Sequence, residues 1–339
     1  MPPLDPGARK RLGPAGTQRW AAAMSPARAW SGRSRGGKLG TALVALVARW
    51  GGRDLCYLFV LFPALWFAWR DAPSRRAILA YWRALQPRRP RCWIASRIPW
   101  HFWTFARGLA DRFLDALSPG CIHYRNVGME QLSRALADGR GAILLSAHLG
   151  SFALAARWLS QQVWNLPRLQ VVMLDAEDPQ VRSQLQRSMG DQAFGIIDLA
   201  DPTAAGLAIA AALGRGEICC MLGDRSAGAA AGMRRLPFLG RSMAFPTGPF
   251  IAAAASGAPI VVTFCIRSSW ATWTCAADAP WRIDLGPRRQ RQARLEAVML
   301  RWSRRLELEV RRHPYAWNNY YDVFTSPEDG TLSRQSPQA

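Results

Sequence analysis

An apolar run at Gly141–Ser151, GAILLSAHLGS, delivers one histidine, His148, into a Gly/Ser turn that opens the alternating stretch FALAARWLSQQV. A strand that ends in histidine and turns at once into a helix sets an imidazole beside helix N-terminal N–H groups. Neutral imidazole there suits a general base, which takes a proton from a reacting group. Such chemistry usually also needs a carboxylate that fixes the tautomer and stabilises the imidazolium. The natural position for it, one turn into the helix, is Ala153. An acid would then have to come from elsewhere, and Asp224, Asp175, Glu177 and Asp178 are the candidates.

A second segment, Gly216–Arg225 (GEICCMLGDR), also ends an apolar run in polar residues. Ligands of open α/β sheets gather at the carboxyl ends of the strands, so Asp224 and Arg225 are expected at the same sheet edge as His148. Arg225 suits an oxyanion or a polarised carbonyl, because arginine offers a fixed fork of donors. The alternative is an Asp–Arg pair that braces a loop. Ser226–Gly232, rich in Gly and Ala, reads as a mobile loop over the site. In the turn-rich PFLGRSMAFPTGP, Thr247 reads as a helix cap. The tail HPYAWNNYYDVF reads as packing.

These residues need elements to hold them. Short apolar strands are predicted at Ala142–Ser146, Leu169–Leu174, Phe194–Leu199, Ile218–Leu222 and Ile260–Ile266. Helical patterns alternate with them at Phe152–Val163, Pro179–Met189, Ala204–Leu213 and Gly248–Ala255. A charged helix, about Gln290–Arg312, closes the domain. Strands continuous in Ile, Val and Leu, separated by helices, predict an α/β fold with a central sheet flanked by helices.

The first third is different. Residues 1–38, rich in Arg, Pro, Gly and Ser, read as a disordered basic arm, and 326–339 as a disordered tail. Between them lie a helical region, 39–118, and the α/β domain, 119–325. Leu39–Arg49 is a plausible amphipathic helix. Leu55–Trp69, LCYLFVLFPALWFAW, is the most hydrophobic stretch. As a helix its residues rise roughly 22 Å, short of the ~30 Å hydrocarbon core. Pro63 is expected to kink it, so a re-entrant or in-plane anchor fits better than a full span. From His101 to Leu117 the period is again helical, and some of His101, Arg107, Asp111 and Arg112 share a face.

Among 339 residues, 44 are basic and only Lys10 and Lys38 are lysine; against 23 acids the net charge is +21. That balance implies an anionic partner: nucleic acid, an anionic membrane lipid surface, or an acidic substrate or carrier protein. No zinc-finger spacing, RNP signature or coherent helix-turn-helix occurs, which argues against nucleic acid. The 16 tryptophans, many among arginines in the first third, suit a membrane–water interface instead. The seven cysteines are scattered without metal spacing and read as reduced thiols.

Taken in order, HFWTFARGLADRF, the SAHLGSF block, the MLGDR block, LPFLGRSMAFPTGP, GAPIVVTFCIR and HPYAWNNYYDVF resemble the late acyltransferases of lipid A biosynthesis, within the lysophospholipid-acyltransferase-like superfamily. The resemblance runs from about Gly36 to Phe324. It implies a glycerolipid-acyltransferase-like fold with a mixed sheet, behind a membrane-associating helical segment on the cytoplasmic face of a bacterial inner membrane. It implies transfer of a fatty acyl group from an acyl carrier protein or coenzyme A thioester to a lipid or glycolipid hydroxyl, with no cofactor and no nucleic acid. His148 would be the base, Gly150 and Ser151 would offer backbone donors, and Asp224, Arg225 and Arg241 would bind substrate. The family signature places Asp or Glu five residues after the histidine, where this chain has Ala153. Three readings stay open: another acid serves His148, His148 acts alone at reduced rate, or the fold is retained for binding or scaffolding.

Overall fold

The computed structural model describes residues 38–117, 120–162, 167–173, 194–225 and 232–324. The expected basic arm, the helix at 179–189, the acids Asp175, Glu177 and Asp178, most of the loop at 226–232 and the C-terminal tail lie outside these residues.

The α/β expectation holds. A seven-stranded sheet runs in the order β1-β9-β8-β2-β5-β3-β4. Its strands are β1 (His123–Val127), β2 (Ala142–Ser146), β3 (Leu169–Met173), β4 (Phe194–Asp198), β5 (Ile218–Leu222), β8 (Ile260–Arg267) and β9 (Thr272–Ala277). All neighbours are parallel except β8 and β9, so the sheet is mixed. A separate antiparallel hairpin pairs β6 (Met233–Phe238) with β7 (Arg241–Pro246). The central strands alternate between two apolar layers. Ile143, Leu145, Val262 and Phe264 face one buried cluster, while Ala142, Leu144, Val261 and Cys265 face the other. Burial on both faces explains why these strands read as continuous apolar runs.

The helices are α1 (Lys38–Arg70), α2 (Ala72–Leu85), α3 (Arg91–Ala95), α4 (Ile98–Leu117), α5 (Met129–Leu136), α6 (Phe152–Gln162), α7 (Pro202–Gly214), α8 (Gly248–Ser256) and α9 (Arg291–Arg312). The predicted kink at Pro63 is not where α1 breaks. Helix runs through Pro63; the non-helical residue is Gly52, and an 88° bend separates Trp50–Arg70 from α2. At that bend Asp71 caps α2, accepting from Ser74 N at 3.4 Å and Ser74 Oγ at 2.6 Å. Thr247 does occupy the N-cap of α8, but its hydroxyl donates to Gly232 O at 3.0 Å instead of capping.

Helix α1 buries Cys56, Tyr57, Val60, Ala64 and Ala68, at helical spacing, and leaves Leu58, Phe62, Leu65, Trp66 and Trp69 exposed. No single described helix is long and apolar enough to cross a membrane; the bent pair α1–α2 is, by length and composition, the one combination that could. A buried carboxylate ties the helices to the sheet. Asp111, fully buried on α4, accepts from Tyr57 Oη on α1 at 2.5 Å and Trp273 Nε1 on β9 at 2.7 Å, and pairs with Arg267 on β8.

His101 on α4 is also buried, packed edge-on against Tyr81 and Tyr320, with Nε2 hydrogen-bonded to Trp317 O at 3.1 Å. Burial drives its pKa down to about 4, although the Trp317 hydrogen bond acts the other way. The unfolded ring titrates near 6.5. Between about 6.5 and 4 the unfolded chain therefore binds a proton that the folded chain refuses, and stability falls as pH falls. The full loss is on the order of 3 kcal/mol. In denaturant titrations over that range, His101→Gln is expected to show a shallower decline than the parent. An unchanged slope would remove His101 as the cause.

Candidate active site

The site follows from strand register. Ser146, the last residue of β2, lies opposite Leu222, the last of β5, and Gly223 N donates to Ser146 O at 2.8 Å. His148 and Asp224 each stand two residues beyond those partners, so the sheet edge brings them together. His148 Nδ1 lies 2.8 Å from Asp224 Oδ1, and His148 N donates to Asp224 Oδ2 at 3.0 Å. Asp224 is fully buried, whereas the His148 side chain is 19% exposed and can be reached from outside.

Asp224 collects further donors from the tail. Trp317 Nε1 donates to Oδ2 at 3.1 Å and Asn319 Nδ2 at 3.2 Å. The tail thus does more than pack, contrary to the expectation above. Asn318 N also donates to His148 O at 2.7 Å, and Asn318 Nδ2 to Gly150 O at 3.0 Å. Burial alone would raise the Asp224 carboxyl. The facing His148 ring and its hydrogen bonds, with the Arg225 cation, outweigh burial and hold it well below the usual carboxylate range.

Arg225 Nε lies 2.8 Å from the same Nδ1. One ring nitrogen cannot donate to Asp224 and accept from Arg225 at once. Asp224 decides between them. Its Oδ2 already has three donors, while Nδ1 is the partner of Oδ1. A buried ionised oxygen facing a lone pair would lose about 1–3 kcal/mol or more. Nδ1 therefore carries the proton, the ring's lone pair lies on Nε2, and the guanidinium acts as a nearby cation. Its Cζ stands 5.7 Å from the Tyr321 ring.

The turn between β2 and α6 is clamped from both sides. Gly150 has φ +80°, and a Cβ there would meet Cys265 O at 2.0 Å, so only glycine fits. Gly150 N donates to Ala316 O at 2.8 Å and Ser151 N to Cys265 O at 2.9 Å. Both N–H groups are therefore committed to the fold. The expectation that they serve as open backbone donors is corrected on that ground: their work is to hold His148 in place. Ser151 Oγ accepts from Leu154 N at 3.3 Å, capping α6, and from Arg112 Nε at 3.2 Å. The Arg112 contact was not foreseen from sequence, though Arg112 is among the polar residues of α4 named there.

Of the residues singled out in the sequence, the structure brings together His148, Gly150, Ser151, Asp224 and Arg225. Arg241 is exposed at the start of β7, its Cζ 4.8 Å from the Phe324 ring, and shares no hydrogen bond with the His148–Asp224 pair. Ala153 is buried (4% exposed) within the first turn of α6. Among the described residues no group of His, Cys, Asp and Glu could hold a metal ion.

A buried carboxylate on a part-exposed imidazole at the carboxyl edge of a parallel sheet is an arrangement for proton transfer. A comparison with curated proteins finds no match. The family model described as bacterial lipid A biosynthesis acyltransferase, however, matches residues 112–319, from the last turns of α4 through the tail that holds Asp224. The chain belongs to the bacterial lipid A biosynthesis acyltransferase family and is an acyltransferase.

Proposed function

We propose that the protein transfers a fatty acyl group from an acyl carrier protein or coenzyme A thioester to a lipid or glycolipid hydroxyl, with His148 as general base and Asp224 as its acid partner. The observation that carries this reading is the 2.8 Å contact between His148 Nδ1 and Asp224 Oδ1. With Nδ1–H held by the carboxylate, Nε2 takes the proton of the acceptor hydroxyl as its oxygen attacks the thioester carbonyl. The new C–O bond forms and the carbonyl oxygen takes negative charge. Collapse then breaks the C–S bond, and the leaving thiolate takes the proton back from Nε2. Asp224 stabilises the imidazolium between those two events. Arg225 stands beside the ring to receive negative charge, and Arg241 is an exposed cation for an anionic acceptor headgroup.

The exposed apolar face of α1 supports membrane docking. Phe62 (67% exposed) and Trp69 (68%) project from the same helix as Leu58, Leu65 and Trp66. An apolar stripe with tryptophans, in a chain of charge +21, suits a helix lying in the plane of an anionic bilayer. The location proposed is the cytoplasmic face of a bacterial inner membrane.

Purified protein assayed with acyl-carrier and acyl-coenzyme A thioesters on lipid-bearing vesicles tests the mechanism. His148→Gln and Asp224→Asn are each expected to lower kcat by ~10²–10⁴, with folding checked by circular dichroism. A folded Asp224→Asn variant within a few-fold of the parent would contradict Asp224's role.

Restoring an acid at the family position tests the same idea in reverse. Because Nδ1 already has its carboxylate, Ala153→Glu is expected to give no gain in rate. A glutamate side chain in place of a buried alanine also overpacks that position, so the variant is expected to be less stable by about 1–3 kcal/mol. A large rate gain would show that Asp224 does not complete the site.

A further inference from the structure

Three part-buried arginines of this protein are paired with carboxylates. Arg157 pairs with Asp115 at 2.7 Å, Arg267 with Asp111, and Arg305 with Asp278 at 2.6 Å and Glu309 at 2.7 Å. Arg107 lies over the Trp103 ring at 4.1 Å and within 5.6 Å of Tyr57. Arg112 has, among the described residues, neither a carboxylate nor an indole beneath it. Among the described residues no carboxylate comes within ion-pair distance of it; its contacts are one Nε–H donated to Ser151 Oγ at 3.2 Å and the Phe152 ring at 5.6 Å. Burial lowers its pKa to about 10, which leaves it charged at neutral pH.

Its position compounds the cost. Ser151 is the residue that caps α6, so the guanidinium sits at the positive end of an 11-residue helix, where the macrodipole disfavours a cation. It also sits on the turn that carries His148, three residues away. A half-buried cation, held against the helix dipole and left without a counter-anion on the turn that carries the base, is poised for negative charge brought by a ligand.

We propose that Arg112 is a substrate-contacting residue of the acyltransferase site, whose free guanidinium N–H groups take a negatively charged substrate oxygen. Two substrate oxygens share that chemistry: the thioester carbonyl oxygen as it becomes an oxyanion, and a phosphate of the donor or the acceptor. The proposal rests on the acyl-transfer reading above, and on its placement of the reaction at His148.

The test compares Arg112→Met, Arg112→Lys and His148→Gln in the full chain, by steady-state acyl transfer and by thermal unfolding. Arg112→Met is expected to lower kcat/KM by ~10²-fold or more while the Tm holds or rises, since the substitution removes an uncompensated charge. A loss carried by kcat assigns the oxyanion; a loss carried by KM assigns the phosphate. Arg112→Lys is expected to recover part of the loss, because charge remains and the fork does not. Two results would overturn the proposal: Arg112→Met activity within about threefold of the parent, or an activity loss matched by a fall in Tm, which marks a brace for Ser151. If His148→Gln also keeps full activity, the reading of the site fails; if His148→Gln is inactive and Arg112→Met is not, the Arg112 proposal fails alone.

Discussion

A buried carboxylate has to be answered by donors, and Asp224 gathers them from two other parts of the chain. Its own strand end presents it, the turn after β2 supplies His148 N and Nδ1, and the tail supplies Trp317 Nε1 and Asn319 Nδ2. None of those donors can move without leaving the anion unsatisfied in a low-dielectric interior, where the penalty is steep. The architecture around it follows from that demand. The tail must cross beneath the sheet edge, Leu149 and Trp317 must bridge, and Gly150 must be glycine so that the turn can lie against β8.

The same interaction bears on Ala153, the position one turn into α6 that is the natural place for an acid. An acid there would serve to hold one ring nitrogen of the histidine. In this chain a carboxylate from the neighbouring strand stands at Nδ1 already, reached through the Ser146–Leu222 register and not through helical spacing. The N-terminal helices connect to this centre as well. His101 on α4 is bonded to the backbone of Trp317, whose indole serves Asp224, so the part of the chain with the exposed apolar face is packed onto the residues that position the carboxylate.

What could be read from sequence depended on how local each determinant is. The five predicted strands form to within a residue because runs such as ICCML and IVVTFCI are apolar on both faces. Strands with more polar residues escaped. β1, HYRNV, is polar and mostly exposed, and β6, MRRLPF, carries two arginines and a proline. The turn joining β6 to β7 uses Leu239 at φ +51°, a left-handed residue that no turn signature announces. His148 was legible from the strand-to-helix turn itself. Asp224 was one of four candidate acids, and choosing it required a parallel register between strands 76 residues apart. The roles of Trp317 and Asn319, 93 and 95 residues from Asp224, left no local mark at all. The turn N–H groups were misjudged for the same reason, since their acceptors, Ala316 and Cys265, are distant in sequence.

The central claim is that Asp224, and not Arg225, determines which nitrogen of His148 carries the proton. The chain has only four histidines, so uniform ¹⁵N-histidine labelling with a His148→Gln assignment control makes long-range ¹H–¹⁵N correlation spectra interpretable. With the ring neutral, the account predicts a protonated Nδ1 and an unprotonated Nε2. A spectrum showing Nε2–H and a bare Nδ1, as Arg225 donation would require, would contradict it.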